Sequence, residues 1–144
     1  MDVETQFWSL VETANQLDEE SWRILNDDDS EPVDSNRMVE PTYLAICKLV
    51  SDHPEMRDVF VRCFSDLVLL ERKSPWMLVP FCMRVLKMPE IRDTLGREMD
   101  ENRGTARYAS LMNYCSSVMH AYLDEVWENA IAFDHFAHEL GSQD

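Results

Sequence analysis

Glycine is scarce in this chain, with 3 in 144 residues, and proline numbers only 6. So little glycine excludes the glycine-rich loops that cradle phosphate groups. It also leaves too few turns for a strand-rich fold, and strand-like alternation is hard to find. Cationic residues are few: 13 Lys and Arg stand against 28 Asp and Glu, a net charge of −15. That charge repels nucleic-acid backbones and anionic membrane surfaces, which speaks against nucleic-acid or membrane binding and suits a basic partner. No apolar run approaches the ~20 residues that a membrane span needs. The N-terminus lacks a basic region followed by an apolar run, so no secretory signal is expected and the chain reads as cytoplasmic. Four cysteines, Cys47, Cys63, Cys82 and Cys115, stand singly on apolar stripes with no Cys-x-x-Cys among them. They read as reduced core residues.

What is present is a phrase said twice. His53-Pro54-Glu55-Met56-Arg57-Asp58 returns as Met88-Pro89-Glu90-Ile91-Arg92-Asp93, an offset of 35. At the same offset Cys47 matches Cys82, Phe60 matches Leu95 and Arg62 matches Arg97. A period of ~20–50 residues marks stacked supersecondary units. Proline lacks an N–H and holds φ near the helical value, so it suits the first helical position, and the glutamate after it faces the positive end of the helix dipole. Each copy therefore predicts a helix start directly after another helix has stopped. Glu55, Arg57, Asp58 and their copies read as caps and as ion pairs across the stack.

Taken in order, residues 3–26 are helical in character, with Phe7, Leu10, Val11, Ala14 and Leu17 on one face and an interruption expected at Asp18-Glu19-Glu20-Ser21. Residues 27–40 read as an acidic loop. Residues 1–40 hold 12 acids and 2 bases, so most of the excess charge lies in the first quarter. Residues 41–70 make the first helix pair, opened by Pro41 and again by Pro54, with Glu71-Arg72-Lys73-Ser74 as the turn that follows. Residues 75–102 make the second pair, opened by Pro75 and Pro89, with Pro80 placed to bend it. From Leu111 to Leu140 apolar residues keep helical phase, which predicts one bent helix or two nearly collinear ones over residues 105–140, with a break near Tyr122–Glu125. The expected fold is all-α, a single domain of antiparallel helix pairs stacked as a short solenoid or an orthogonal bundle.

The stretch Pro80-Phe81-Cys82-Met83-Arg84-Val85-Leu86-Lys87-Met88-Pro89-Glu90-Ile91-Arg92 resembles a phrase of small bacterial HEAT-like proteins, in which a Cys-Met helix ends and Pro-Glu-(Val/Ile)-Arg opens the next. Many of those are similar to immunity proteins of polymorphic toxin systems, which neutralise contact-dependent or secreted toxins. Met88 stands where that pattern carries tryptophan. The resemblance implies a HEAT-like solenoid and a toxin inhibitor. Toxin-contacting residues vary in such proteins, so it assigns no contact residue here.

Catalytic and metal chemistry find little footing. There is no Gly-x-Ser-x-Gly, and no cysteine has a helical histidine neighbour. His135 and His138 lie three apart, but a di-metal helical site needs Glu-x-x-His, and Ala132 occupies the glutamate position. No enzyme, cofactor or metal is expected. Tryptophans Trp8, Trp22, Trp76 and Trp127 sit beside the stripes and read as core-edge residues. The first functional expectation is an immunity protein that binds a basic toxin domain, such as a nuclease, by steric and electrostatic exclusion. Its contact residues would be Asp27, Asp28, Asp29, Glu31 and Asp34, with Glu19 and Glu20 nearby and Trp22 as apolar anchor. The alternative is a helical-repeat adaptor or regulator of another cellular protein, with no toxin; a DNA-charge mimic and a small enzyme stand behind these.

Overall fold

The computed structural model of the chain describes residues 2–26, 34–123 and 125–136. Among the described residues it is all-helical, with no strand. Helix α1 spans Val3–Leu25, α2 Ser35–Asp52, α3 Arg57–Val68, α4 Leu78–Leu86, α5 Pro89–Glu101 and α6 Ala106–His120. Three short 3₁₀ turns add Pro54–Met56, Glu128–Ala132 and Asp134–Phe136. Alternate helices are neighbours: α2 lies on α4 and α4 on α6, while α3 lies on α5; α1 packs most extensively on α2.

Local chemistry accounts for most helix ends. Asp2 caps α1 by accepting the Thr5 N–H at 2.8 Å. Asp34 caps α2 through the N–H groups of Asn36 and Arg37 at 3.1 and 3.3 Å, and Thr105 caps α6 at Tyr108. Pro89 sits at the first position of α5, and Pro54 opens the 3₁₀ turn that leads into α3. Both prolines are exposed. Gly104, with φ +82°, takes the left-handed step between α5 and α6 that a side chain would strain.

The repeated positions meet. Arg57 of the first phrase grips Glu90 of the second with two bonds of 2.7 Å, a bidentate arrangement that fixes geometry as well as charge. Phe60 and Leu95 are both fully buried. The matched cysteines Cys47 and Cys82 are also both in the core.

Four expectations are corrected. α1 runs unbroken through Asp18–Ser21, and the buried Ser21 hydroxyl donates to the Asp18 carbonyl at 2.7 Å. Of the acidic loop expected over 27–40, residues 27–33 lie outside the described residues and residues 35–40 belong to α2, so Pro41 is interior to a helix rather than its opener. The Asp34 cap and the burial of Val39, Thr42 and Tyr43 on either side of exposed Pro41 outweigh the lost ladder bond. Pro75 lies in the turn before α4, and Pro80 falls in the first turn of α4, where no N–H is needed. Over 105–140, α6 stops at His120, close to the break expected near Tyr122–Glu125, but the chain continues as 3₁₀ turns instead of helix, with residues 137–140 outside the described residues.

That last departure has a visible cause. Residues 127–136 form a strap across α2 and α4. Trp127, Phe133 and Phe136 join Phe81 and Tyr43 in one aromatic cluster with neighbouring ring centroids 4.8–6.2 Å apart. Trp127 is thus fully buried rather than at the core edge. The buried carboxylate of Glu40 accepts the backbone N–H groups of Asp134 and His135 at 2.9 and 2.8 Å. One turn earlier on α2, Arg37 pairs with Asp134 at 3.1 Å and donates to the Ile131 carbonyl at 3.3 Å. A helix could not present those N–H groups and rings to α2 together. At the other end of the strap Arg84 donates to the carbonyls of Ala121, Leu123 and Glu125, and the Tyr122 hydroxyl donates to the Met88 carbonyl at 2.7 Å.

Candidate interaction surface

On α1 a second stripe runs beside the core-facing one. Trp8, Glu12, Asn15, Glu19 and Trp22 follow one another at spacings of four, three, four and three, which puts them on one helix face. The connection from α3 to α4 runs beside this face. Asn15 is almost fully buried and donates its side-chain N–H to the Lys73 carbonyl at 3.0 Å. Lys73 in turn pairs with Glu19, and the Arg72 guanidinium lies 3.5 Å above the centroid of the Trp8 ring.

The connection is held from the far side as well. Arg107 of α6 donates to the Leu69 carbonyl at 2.9 Å and pairs with Glu71 and Glu98 at 3.1 Å each. The N–H groups of Glu71 and Arg72 both reach the Asp66 carbonyl, at 2.9 and 3.3 Å. Pinned in this way, the segment pushes apolar groups outward. Leu70 adopts φ 62°, a left-handed conformation uncommon for leucine, and is 45% exposed. Trp76 is 51% exposed and rests on the Tyr114 ring at 4.7 Å between centroids.

Two open hollows adjoin along this line. One, of about 370 Å³, is lined by Trp8, Val11, Glu12, Asn15, Glu19, Arg72 and Lys73. The other, of about 230 Å³, lies between Leu70, Pro75, Trp76 and Tyr114 and shares Arg72 and Lys73 with the first. The first sits at the small end and the second below the ~300–1,000 Å³ usual for small-molecule sites. Tryptophan, tyrosine and arginine on a rigid support are the residue types that anchor protein–protein contacts.

The residues expected from sequence are distributed unevenly over this surface. Glu19 and Trp22 lie on the α1 stripe, and Trp22 is 57% exposed beside the exposed Leu25. Glu20 pairs with Arg23, whose hydrogen bond holds its carboxyl below the usual carboxylate range. Asp34 is occupied as the α2 cap and by Arg37; partial desolvation pushes its carboxyl up, and the bonds from Arg37 outweigh this and bring it down. Asp27, Asp28, Asp29 and Glu31 lie outside the described residues. Leu70, Trp76 and Tyr114 were missed: Glu71-Arg72-Lys73-Ser74 reads only as a turn, and nothing local shows that Tyr114 will support Trp76 from α6.

Other side chains with chemical potential are otherwise engaged. The His135 ring packs on Phe81 and Phe136, while His138 is outside the described residues. Among the described residues no three His, Cys, Asp or Glu side chains converge as metal ligands. Burial pushes the Cys63 thiol up to about 11 and raises Cys82 and Cys115, which keeps them protonated at neutral pH. No described helix is long and apolar enough to cross a membrane. The chain matches no protein-family model, no curated protein and no solved structure.

Proposed function

We propose that this chain is a non-catalytic binding protein that docks on a basic protein domain, in the form implied by the resemblance of residues 80–92 to HEAT-like proteins: an immunity protein that neutralises a toxin such as a nuclease. One observation carries the reading. Nine of the 13 Lys and Arg side chains sit in ion pairs with the chain's own carboxylates. The other four also have partners within the chain: Arg72 on Trp8, Arg84 and Lys87 on backbone carbonyls, and Arg97 on Thr94. The cations are therefore engaged within the chain, and a net charge of −15 remains to attract a basic partner.

A nuclease is basic along its substrate groove. An acidic surface that covers that groove excludes substrate without any bond being made or broken. Long-range attraction speeds encounter and selects the partner, while exposed apolar anchors such as Trp22, covered on docking, hold the complex. Co-expression with the C-terminal domain of a toxin encoded beside this chain is the test. Rescue of growth with co-purification is expected, together with an association rate that falls as salt rises. Absence of both rescue and a complex would defeat the immunity reading. A complex without rescue would place the chain among adaptors instead.

A further inference from the structure

We infer that the groove between α1 and the 69–77 connection is where the basic partner is read, by a segment that presents a cationic side chain next to an apolar one. The cation enters the hollow of Trp8, Glu12 and Glu19; the apolar group covers Leu70, Trp76 and Tyr114. This rests on the reading above that the partner is basic, and it adds where and by what chemistry the partner is held.

The first argument is occupancy. A cation already lies on Trp8 and another already pairs with Glu19, and both come from the chain itself, as Arg72 and Lys73. The hollow thus displays the contacts it would offer to an arginine or lysine from outside: an aromatic face and carboxylates on one helix stripe. Lys73 and Glu19 are mostly exposed, at 70% and 61% of their side-chain surface, so water screens the pair and its exchange for a partner's cation is cheap. Arg72 and Lys73 then act as placeholders in the free chain.

The second argument is preorganisation. Leu70 is held both strained and exposed, an arrangement that costs stability twice over. The connection that holds it is tied to α1 by Asn15, to α6 by Arg107 and to α3 by Asp66. A rigid loop that displays a leucine and a tryptophan beside a side-chain-sized hollow has little ordering entropy left to lose on binding. Charge complementarity then selects the occupant. The α1 face contributes Glu12 and Glu19, with Asp18 and Glu20 next to them, in a chain of net charge −15. In the free chain Arg72 and Lys73 balance Glu12 and Glu19 in the hollow, and the preference for a cation comes from the carboxylates that their displacement uncovers.

The test titrates the full-length chain with two short fluorescent peptides, one of arginine, proline and leucine, the other with glutamate in place of arginine. Saturable binding of the first and none of the second is expected. Trp76→Ala should weaken binding about tenfold or more, as truncation of an anchor does. Leu70→Gly relieves the backbone strain while removing the apolar contact, so it should fold as well as the parent and still bind more weakly. The pair Glu12→Gln/Glu19→Gln should weaken binding more than the pair Glu55→Gln/Asp58→Gln, which removes the same charge at the far end of α3. Arg72→Gln/Lys73→Gln should tighten binding, by about three- to tenfold if two exposed contacts are released. Equal effects of the two glutamate and aspartate pairs, equal binding of the acidic peptide, or no saturable binding of the basic one would overturn the inference. So would a basic domain that co-purifies undisturbed by Leu70→Gly and Trp76→Ala, and in that case the binding reading stands while its placement here falls.

Discussion

Replacing Glu40 with alanine should loosen the strap more than any other single polar change in the chain. The Glu40 carboxylate is 6% exposed and accepts two backbone N–H groups, from Asp134 and His135. Hydrogen bonds to a charged group contribute about 1.5–3 kcal/mol each, which would set an upper bound of about 6 kcal/mol for the two. Asp134 and His135 are themselves exposed, so water reaches part of what the carboxylate leaves behind. About 2–4 kcal/mol is therefore expected, which in a chain of this size lowers Tm by roughly 10 °C. Glu40→Gln discriminates the cause. It keeps the shape, but its amide turns a donor towards one of the two N–H groups, so it should cost nearly as much as alanine. Urea unfolding gives the magnitude, and hydrogen exchange gives the location, through loss of protection at the Asp134 and His135 amides. If both variants lie within about 0.5 kcal/mol of the parent, the account of the strap is wrong.

Other expectations follow from the charge and from the repeat. The carboxyls of Glu90, Asp34, Glu20 and Asp2 are held low by their bonds to Arg57, Arg37, Arg23 and the Thr5 N–H; they stabilise the fold above the ordinary carboxylate range and stop doing so as pH falls through their lowered values. Asp18, raised by desolvation, acts in the opposite sense, and so does the self-repulsion of a −15 chain, which eases as pH falls. Thermal melts at low salt should therefore show a maximum near about pH 5 and a fall below about pH 4; a steady decline from pH 7 to 5 would refute this balance. The Arg57–Glu90 pair is half-exposed, so a double-mutant cycle on it should return no more than about 1 kcal/mol of coupling, reduced by salt. The indole N–H of Trp127 is buried and meets no hydrogen-bond acceptor among the described residues. Trp127→Phe removes that orphan donor along with some packing, and denaturant unfolding should place it within about 1 kcal/mol of the parent.

The parts of the fold legible in the sequence are those set by neighbours a few residues away. Pro54 and Pro89 announce the starts of the α3 and α5 arms because a missing N–H and a fixed φ act locally. The stripe of Phe60, Cys63, Phe64 and Leu67 is buried as its spacing requires. The parts that escape notice depend on partners far along the chain. Asp34, counted among surface acids, is a cap whose helix continues through Pro41 because Val39 and Tyr43 find the core. Phe133 keeps helical phase on paper, yet the chain around it folds as turns because Glu40, more than ninety positions earlier, supplies the cap and Phe81 the surface. On the candidate surface the same division holds. Glu19 and Trp22 announce themselves by acidity and by their place off the stripe. The role of Leu70 rests on a backbone angle, and that of Trp76 on Tyr114 in another helix, and neither can be read from adjacent residues.

The strap also sets an order of events during synthesis. Tyr43 and Phe81 leave the ribosome long before Phe133 and Phe136, which cover them. Until then the nascent chain carries an open aromatic face and an unsatisfied carboxylate at Glu40. A product truncated before residue 127 would keep both permanently, and would be marked by that stickiness for chaperones and proteases.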